Sequence, residues 1–251
     1  GAIGAMFHDR GSPFAAFDSE TDDLVGRSEI PLALRYFGGA GKAHMDEFGT
    51  PVETFAKIRA KASRHAAKNP VALFRQEVTA EDVMAAQVVW PGVMTKLMAC
   101  PPTCGAAAAI ICSKEFADKH GLDSSVRIAA QAMTTDGPET FEAHDMREVV
   151  GFSMAKRAAD QVYEDAGIGP EDVDVVELHD CFAHNELSTD EALGLCGRGE
   201  AAKFVDDGDN TYGGATTINA GTMHLAAVAT AAASSSSTDE GGVGIERRTG
   251  W

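Results

Sequence analysis

The order of patterns between residues 151 and 196 restricts the fold of this chain more than any other feature. Apolar residues recur at helical spacing over 151–166, Gly-Ile-Gly-Pro ends that pattern at 167–170, and an apolar strand follows over 173–178. A polar turn at 179–182 then leads into a second helical pattern that begins near Asn185. Helix, strand, polar turn and helix in succession predict a layered α/β fold with the strand buried in the sheet.

Shorter patterns predict the remaining secondary structure. Apolar residues at helical spacing predict a helix over 51–68, and Thr79 followed by Asp82 matches a capping box that opens another helix. Apolar runs predict strands over 105–112 and 126–133. The first forty residues are rich in turn formers, so we expect loops there, including a turn over 36–41. A run of four serines at 234–237 predicts a low-complexity tail.

Charge and composition exclude several classes of protein. The chain has 38 Asp and Glu against 21 Lys and Arg among its 251 residues, and the resulting net charge of -17 disfavours nucleic acid as a partner. No apolar run approaches the ~20 residues of a membrane span, and the first ten residues do not resemble a secretory signal. Five irregularly spaced cysteines predict a reducing, intracellular setting rather than a disulfide framework.

Cys100 and Cys104 are close enough in sequence to raise the question of a metal site. Three residues separate them, two of which are proline, and no second pair of Cys or His follows at ligand spacing. We therefore predict no metal.

His179 and Cys181 are the candidate catalytic residues that the pattern itself provides. Both follow the predicted strand at 173–178, and ligands gather at the carboxyl ends of strands in open α/β sheets. The usual pKa is about 6.5 for an imidazole and about 8.5 for a thiol, so modest pKa shifts would make them an acid/base pair at neutral pH. The structural alternative is a hydrogen-bonded histidine beside a buried cysteine, since free cysteine is among the most buried residue types.

A longer series of motifs resembles the sterol-carrier-type thiolases, whose hallmark is the His-Asp-Cys-Phe sequence found here at 179–182. The matching stretches follow one another in unbroken order over about 1–219, and they are 37–45, 53–58, 100–110, 151–154, 174–187, 191–196 and 208–214. The resemblance implies a thiolase-like fold, in which two similar βαβαβαββ halves flank a helical loop domain inserted between the last strands of the first half.

The same resemblance divides the chain into four parts. Residues 1–104 would hold the end of the first half and the helical loop domain, and 105–123 would hold the last strand of the first half and a linker. Residues 124–233 would form the second half, and 234–251 a degenerate tail. The chain would thus represent the C-terminal portion of a thiolase-like protein.

For function, the resemblance implies acyl transfer between a 3-oxoacyl-CoA and free CoA, with branched or sterol-derived chains and no metal or redox cofactor. His179 resembles the group that acts where negative charge develops on an oxygen, and Cys181 resembles the family's second, proton-shuttling cysteine. His224 is similar to the histidine of a later Gly-His-Pro motif, although the flanking Gly and Pro are absent. The nucleophilic cysteine would lie on a helix that precedes Gly1.

Two alternatives accompany this interpretation. Some thiolase-like proteins of bacterial steroid side-chain degradation are retro-aldolases, and in that case Tyr212 would be the acid/base group beside a small partner protein. A chain without the nucleophile would instead bind acyl-CoA or lipid without turnover.

The resemblance also predicts the ligands, assembly and location of the protein. We expect acyl-CoA and CoA as ligands, assembly as a homo-oligomer or with the N-terminal half, and a cytoplasmic or peroxisomal location. Because CoA is anionic, its site requires local basic groups or helix N-termini that overcome the overall negative charge.

Overall fold

The computed structural model describes residues 12, 14–102, 105–106 and 108–211, together with the backbone of 224–228 and 242–248. Within these ranges the chain forms ten α-helices and six strands. The helices are α1 (Ala15–Val25), α2 (Leu32–Phe48), α3 (Val52–Ala67), α4 (Ala80–Ala85), α5 (Lys114–His120), α6 (Glu139–Glu142), α7 (Met146–Val149), α8 (Phe152–Ala166), α9 (Ala183–Ala192) and α10 (Ala201–Asp207). The strands are β1 (Val88–Trp90), β2 (Met94–Thr95), β3 (Val126–Met133), β4 (Val175–Glu177), β5 (His224–Val228) and β6 (Gly242–Arg248).

Four of these strands form one mixed sheet in the order β3-β6-β5-β4. β6 runs antiparallel to both β3 and β5, whereas β5 and β4 are parallel. Helix α8 packs against β3 through a small apolar cluster that includes Ala132, Ala159 and Val162. The α/β layering predicted from 151–196 is therefore confirmed.

Several elements begin and end close to where local patterns place them. The helix predicted over 51–68 is α3, the strand predicted over 126–133 is β3, and the helix predicted over 151–166 is α8, which ends at a left-handed Gly167. The capping box is also present, because the side chain of Thr79 accepts from the backbone N–H of Asp82 and that of Asp82 accepts from the backbone N–H of Thr79. Local sequence signals determine these elements.

The turn predicted over 36–41 is wrong, because these residues lie within helix α2 and are buried. Tertiary packing overrides the poor helix propensity of glycine at this point. A Cβ at Gly38 would lie 2.9 Å from Trp90 Cε3, and a Cβ at Gly41 would lie 2.9 Å from His184 Cγ. The missing side chains therefore allow β1 and α9 to approach the backbone of α2. Helix α1 likewise replaces part of the loop expected over the first forty residues.

The strand predicted over 105–112 is absent from the described residues of that stretch. Ile110 is 100% exposed and Ile111 is 74% exposed, although both belong to an apolar run. A strand needs a neighbouring strand to satisfy its backbone hydrogen bonds, and no described strand pairs with this segment. The described residues of the run therefore form no strand, and both isoleucine side chains face solvent.

The strand predicted over 173–178 is shorter and more exposed than expected. β4 covers Val175–Glu177, where both valines are half-buried and Glu177 is exposed. It is the edge strand of the described sheet, so it has a neighbour on one side alone. At the other end of the chain, residues 242–248 of the predicted tail form β6 between β3 and β5.

Helix α9 lies at the centre of the helical part and determines the position of the site. All ten of its residues are buried, although seven of them are polar. Helices α2, α3, α8 and α10 pack around it. An unpaired buried polar group costs about 1–3 kcal/mol, and His184 Nδ1, Asp190 Oδ2 and Glu191 Oε2 of this helix have no hydrogen-bond partner in the described structure. Among the described residues, no helix combines the length and apolar character of a membrane span.

Candidate active site

The turn between β4 and α9 carries His179, Asp180 and Cys181. The side chains of His179 and Asp180 are exposed, whereas that of Cys181 is half-buried. The side-chain amide of Asn185 donates to the backbone carbonyl of His179 and fixes the turn to the first turn of α9. Because its side chain is exposed, His179 does not belong to the core of this structure. Its imidazole is available to a ligand at the carboxyl end of β4.

Cys100 is the residue that the fold brings directly opposite Cys181. The flanking residues Ala99 and Phe182 form an isolated antiparallel bridge. Next to that bridge, the backbone N–H of Cys100 donates to the carbonyl of Cys181 over 2.8 Å. Both cysteines are free thiols, and Cys100 is the more exposed of the two.

The surroundings of both thiols favour the protonated form. Burial, with smaller contributions from Cys100 and Asp180, raises the pKa of the Cys181 thiol to about 12. Burial and the charge of Asp180 also raise the pKa of the Cys100 thiol. A nucleophilic cysteine requires a lowered pKa, so the surroundings of Cys181 keep its thiol protonated and do not favour nucleophilic attack.

A group of charged side chains lies behind the turn. Asp180 interacts electrostatically with the half-buried guanidinium of Arg59. Burial lowers the pKa of Arg59, and the charge of Asp180 offsets part of that lowering. The charge of Asp180 also acts on Glu186, a buried carboxyl whose pKa is raised by burial. Glu186 pairs with Lys61 and accepts from Asn210 Nδ2 at 3.1 Å. Lys61 thus connects α3 to the buried face of α9.

Lys61 also lines a groove of about 420 Å³ beside this network. The basic residues Lys57, Lys61 and Arg64 lie along one face of α3 at helical spacing and form one wall. Lys57 pairs with Asp206 at 2.6 Å, and both side chains are about half exposed. The complete lining is Lys57, Ala60, Lys61, Arg64, Glu77, Val78, Thr79, Ala80, Val205, Asp206, Gly208, Asn210 and Thr211. Three cations therefore share this groove with the carboxylates of Glu77 and Asp206.

For the other two predicted residues the structure describes less. Tyr212 lies outside the described residues. The backbone of His224 opens β5, which pairs with β4 in parallel so that Leu225 is opposite Val175. His224 is therefore at the amino end of this strand pair, whereas His179 follows its carboxyl end. The role of His224 stays a prediction, because this register gives the position of its backbone alone.

Sequence analysis did not identify two residues of this site, Cys100 and Lys61. Cys100 attracted attention in the sequence as half of a pair with Cys104, but its neighbour in space is Cys181. In the sequence, Lys61 is an ordinary cation of a predicted helix. In the structure it pairs with the buried Glu186 of α9. In the described ranges, no three or more His, Cys, Asp or Glu side chains are grouped so as to hold a metal ion.

Comparison with known proteins gives relatives that extend beyond this chain. The family "Thiolase C-terminal domain-like" matches residues 136–240. Sterol carrier protein 2 of Rattus norvegicus is 47% identical over 220 residues, which is 87% of this chain and 40% of the rat protein. The benzoylsuccinyl-CoA thiolase subunit BbsB of Thauera aromatica is 39% identical over 210 residues, which is 84% of this chain and 52% of the subunit. The chain thus spans about half of these relatives or less.

A solved structure supports the same fold at low sequence identity. The Ltp2-ChsH2(DUF35) aldolase matches with a TM-score of 0.68 and 20% identity, and the match covers 96% of this chain and 68% of that chain. The fold is accordingly thiolase-like, with mixed helix and sheet. Together with the identity to sterol carrier protein 2, these findings show that the chain belongs to the sterol-carrier-type thiolase-like proteins.

Proposed function

We propose that this chain supplies the oxyanion-stabilising and proton-transferring part of a thiolase-like acyltransferase that acts on 3-oxoacyl-CoA. The observation that carries the proposal is the juxtaposition of the exposed His179 and the protonated thiol of Cys181 in one turn after β4. A hydrogen-bond donor in such a position stabilises the oxygen on which charge develops. The neighbouring thiol transfers the proton that carbon–carbon bond cleavage or formation requires.

The covalent step needs a thiolate, and neither Cys100 nor Cys181 has an environment that favours one. We assign that step to a different cysteine of the full-length protein, as the resemblance implies. In thiolysis the thiolate of that cysteine attacks the 3-oxo carbonyl, the bond between the α and β carbons breaks, and the α carbon takes a proton. Cys181 donates that proton and recovers it from the CoA thiol in the second half of the reaction.

The basic groove supports coenzyme A as the carrier of the acyl group. Lys57, Lys61 and Arg64 lie along one wall, where Lys57 pairs with Asp206 and Lys61 with Glu186. We therefore assign the attraction of a CoA phosphate mainly to Arg64. Lys61 connects this groove through Glu186 to the charge of Asp180 in the catalytic turn. We therefore propose that the phosphates bind in the groove and that the thioester lies at the turn.

The experiment measures product and CoA balance with the full-length protein that contains this sequence. Thiolysis of a 3-oxoacyl-CoA consumes one free CoA for each acetyl-CoA formed, whereas retro-aldol cleavage of a 3-hydroxyacyl-CoA consumes none. We expect CoA-dependent cleavage that Cys181→Ala strongly reduces and that Cys112→Ala, which alters an exposed thiol outside the turn, leaves unchanged.

Two results would replace the proposal. Cleavage without CoA consumption would favour the retro-aldolase, with Tyr212 as the next residue to substitute. Saturable acyl-CoA binding without any turnover would favour a non-catalytic binding protein. A turnover that is the same in Cys181→Ala and in the unsubstituted protein would reject the assigned proton transfer.

A further inference from the structure

The backbone around Cys100 and Cys181 has the geometry of an antiparallel residue pair. Ala99 and Phe182 form the bridge, and the hydrogen bond from Cys100 N to Cys181 O continues it by one residue in each direction. Cys100 is thus directly opposite Cys181. Residues opposite each other in antiparallel pairs have Cα atoms about 4.5–5.5 Å apart and present their side chains on the same face.

This spacing suits a covalent bond between the two sulfur atoms. Disulfides join residues whose Cα atoms are usually about 4.4–6.8 Å apart, and the spacing of an antiparallel pair lies within that range. Both thiols are free in this structure. Cys100 is exposed and can meet a small reagent from solvent, whereas Cys181 is half-buried directly opposite it.

We propose that Cys100 and Cys181 form a reversible disulfide, which would switch off the site that the proposed function assigns to this turn. The oxidant is a small-molecule disulfide. The Cys100 thiolate attacks one of its sulfur atoms and releases one thiolate, which gives a mixed disulfide. The Cys181 thiolate then attacks Cys100 Sγ and releases the second thiolate. The protein loses two electrons and two protons, and the reagent becomes two thiols.

The order of these two steps follows from the environment of each thiol. Cys100 reacts first because it is the exposed partner. Burial and Asp180 favour the protonated form of both groups, so exchange is slow at neutral pH and becomes faster as the pH rises. The closed form has no thiol proton at position 181. For its effect on catalysis, although not for its chemistry, this inference rests on the proposed function.

The test incubates the full-length protein with oxidised glutathione at mildly alkaline pH and maps its peptides by mass spectrometry without reduction. We expect a linked pair of peptides that contain Cys100 and Cys181, which dithiothreitol separates. The link should also form in Cys104→Ser and Cys112→Ser, and it should be absent from Cys100→Ser and Cys181→Ser. Melting temperatures of the reduced variants establish that each one is folded.

Three results would overturn the inference. The first is a link between Cys100 and Cys104 in place of the expected one. The second is glutathione that stays attached to Cys100 without a link. The third is a Cys100 peptide that is linked to another cysteine just as well in Cys181→Ser. The mass measurement does not depend on turnover, so failure of the proposed function leaves it intact. If the protein is active, oxidation should lower turnover at least tenfold, and dithiothreitol should restore it in the unsubstituted protein.

Discussion

His44 Nε2 lies 2.8 Å from Glu191 Oε1, and this contact joins α2 to α9 inside the protein, where both side chains are 1% exposed. The other ring nitrogen of His44 lies 2.7 Å from Thr50 Oγ1. The same carboxylate oxygen accepts from the backbone N–H groups of Gly199 and Ala201 at 2.9 and 3.3 Å. One acidic side chain of the polar helix therefore holds an imidazole and the segment that leads into α10.

Glu191→Ala should lower the free energy of unfolding by about 3–5 kcal/mol, because it leaves a buried imidazole and two backbone N–H groups without their acceptor. Chemical denaturation measures this loss. Glu164→Ala removes the same group from an exposed position on α8 and should change stability by less than about 0.5 kcal/mol. Equal stability of the two variants would mean that the buried contact does not hold the helices together.

Gly41→Ala should destabilise the protein by about 3 kcal/mol, since the new methyl group would meet the ring of His184. That ring cannot move aside easily, because it is fully buried, stacks on Phe55 at 4.0 Å between centroids and lies 3.0 Å from the carbonyl of Val93. Gly105→Ala is the matched control, because a Cβ there meets nothing within 4 Å. A melting temperature of Gly41→Ala equal to that of the control would contradict the packing of α2 on α9.

Asp190→Asn should stabilise the protein at neutral pH. Burial, and then the charge of Glu186, raises the pKa of Asp190 well above its usual value. The folded state therefore binds this proton more tightly than the unfolded state does. The stability that this tighter proton binding gives to the folded state is complete below about pH 4. It is lost as the pH rises through the pKa that Asp190 has in the folded state.

Each unit by which that pKa is raised corresponds to about 1.4 kcal/mol, and the neutral amide of Asp190→Asn removes this dependence. Denaturation from pH 4 to 8 should show that the advantage of the variant grows with pH and vanishes near pH 4. Asp165→Asn, at an exposed position on α8, provides the control profile. An advantage that is the same at every pH would exclude titration of Asp190 as its cause.

Sequence patterns correctly predict those helices and strands whose structure depends on residues close to them in the sequence. The Thr79 capping box and the amphipathic pattern of α8 need no distant contact, and both are present. The glycines of α2 read as a turn, because the ring of His184 that requires Gly41 lies far away in sequence. The apolar run at 105–112 has the composition of a strand, so a strand is the natural prediction. No described strand pairs with it, and its sequence alone does not contain that information.

The candidate site divides in the same way. His179 and Cys181 can be found from their position after a strand, which is a local property. Cys100 reaches Cys181 through a bridge between distant segments, and Lys61 reaches Glu186 across the contact of α3 with α9. Such contacts follow from the packing of whole elements, so a single sequence does not provide them.

Arg64→Gln should weaken CoA binding without a change in the rate of bond cleavage. Arg64 is exposed and lines the groove beside Lys57 and Lys61. Under the proposed function its charge attracts the phosphates of CoA and does not contact the reacting carbons. We expect KM for CoA to rise about threefold to tenfold, with kcat unchanged, and the effect to shrink as salt screens the charge. Arg127→Gln makes the same change at an exposed position on β3, outside the groove. An equal KM in the two variants would place the phosphates elsewhere.

His179→Ala, in the full-length protein, should lower kcat about a hundredfold and change KM far less. The imidazole follows β4 and is exposed at the carboxyl end of that strand, where the reacting end of a ligand would lie. A donor there interacts more strongly with a developing oxyanion than with a neutral carbonyl oxygen, so its loss affects mainly the transition state. Removing one such donor typically costs about 3 kcal/mol.

The melting temperature should stay the same in this variant, because the side chain of His179 is exposed and the bond from Asn185 is made to its backbone carbonyl. His120→Ala, an exposed histidine on α5, is the control for the loss of an imidazole that faces solvent. Turnover and melting should be measured on the same preparation. If kcat stays intact while stability falls, His179 holds the turn in place and takes no part in the chemistry.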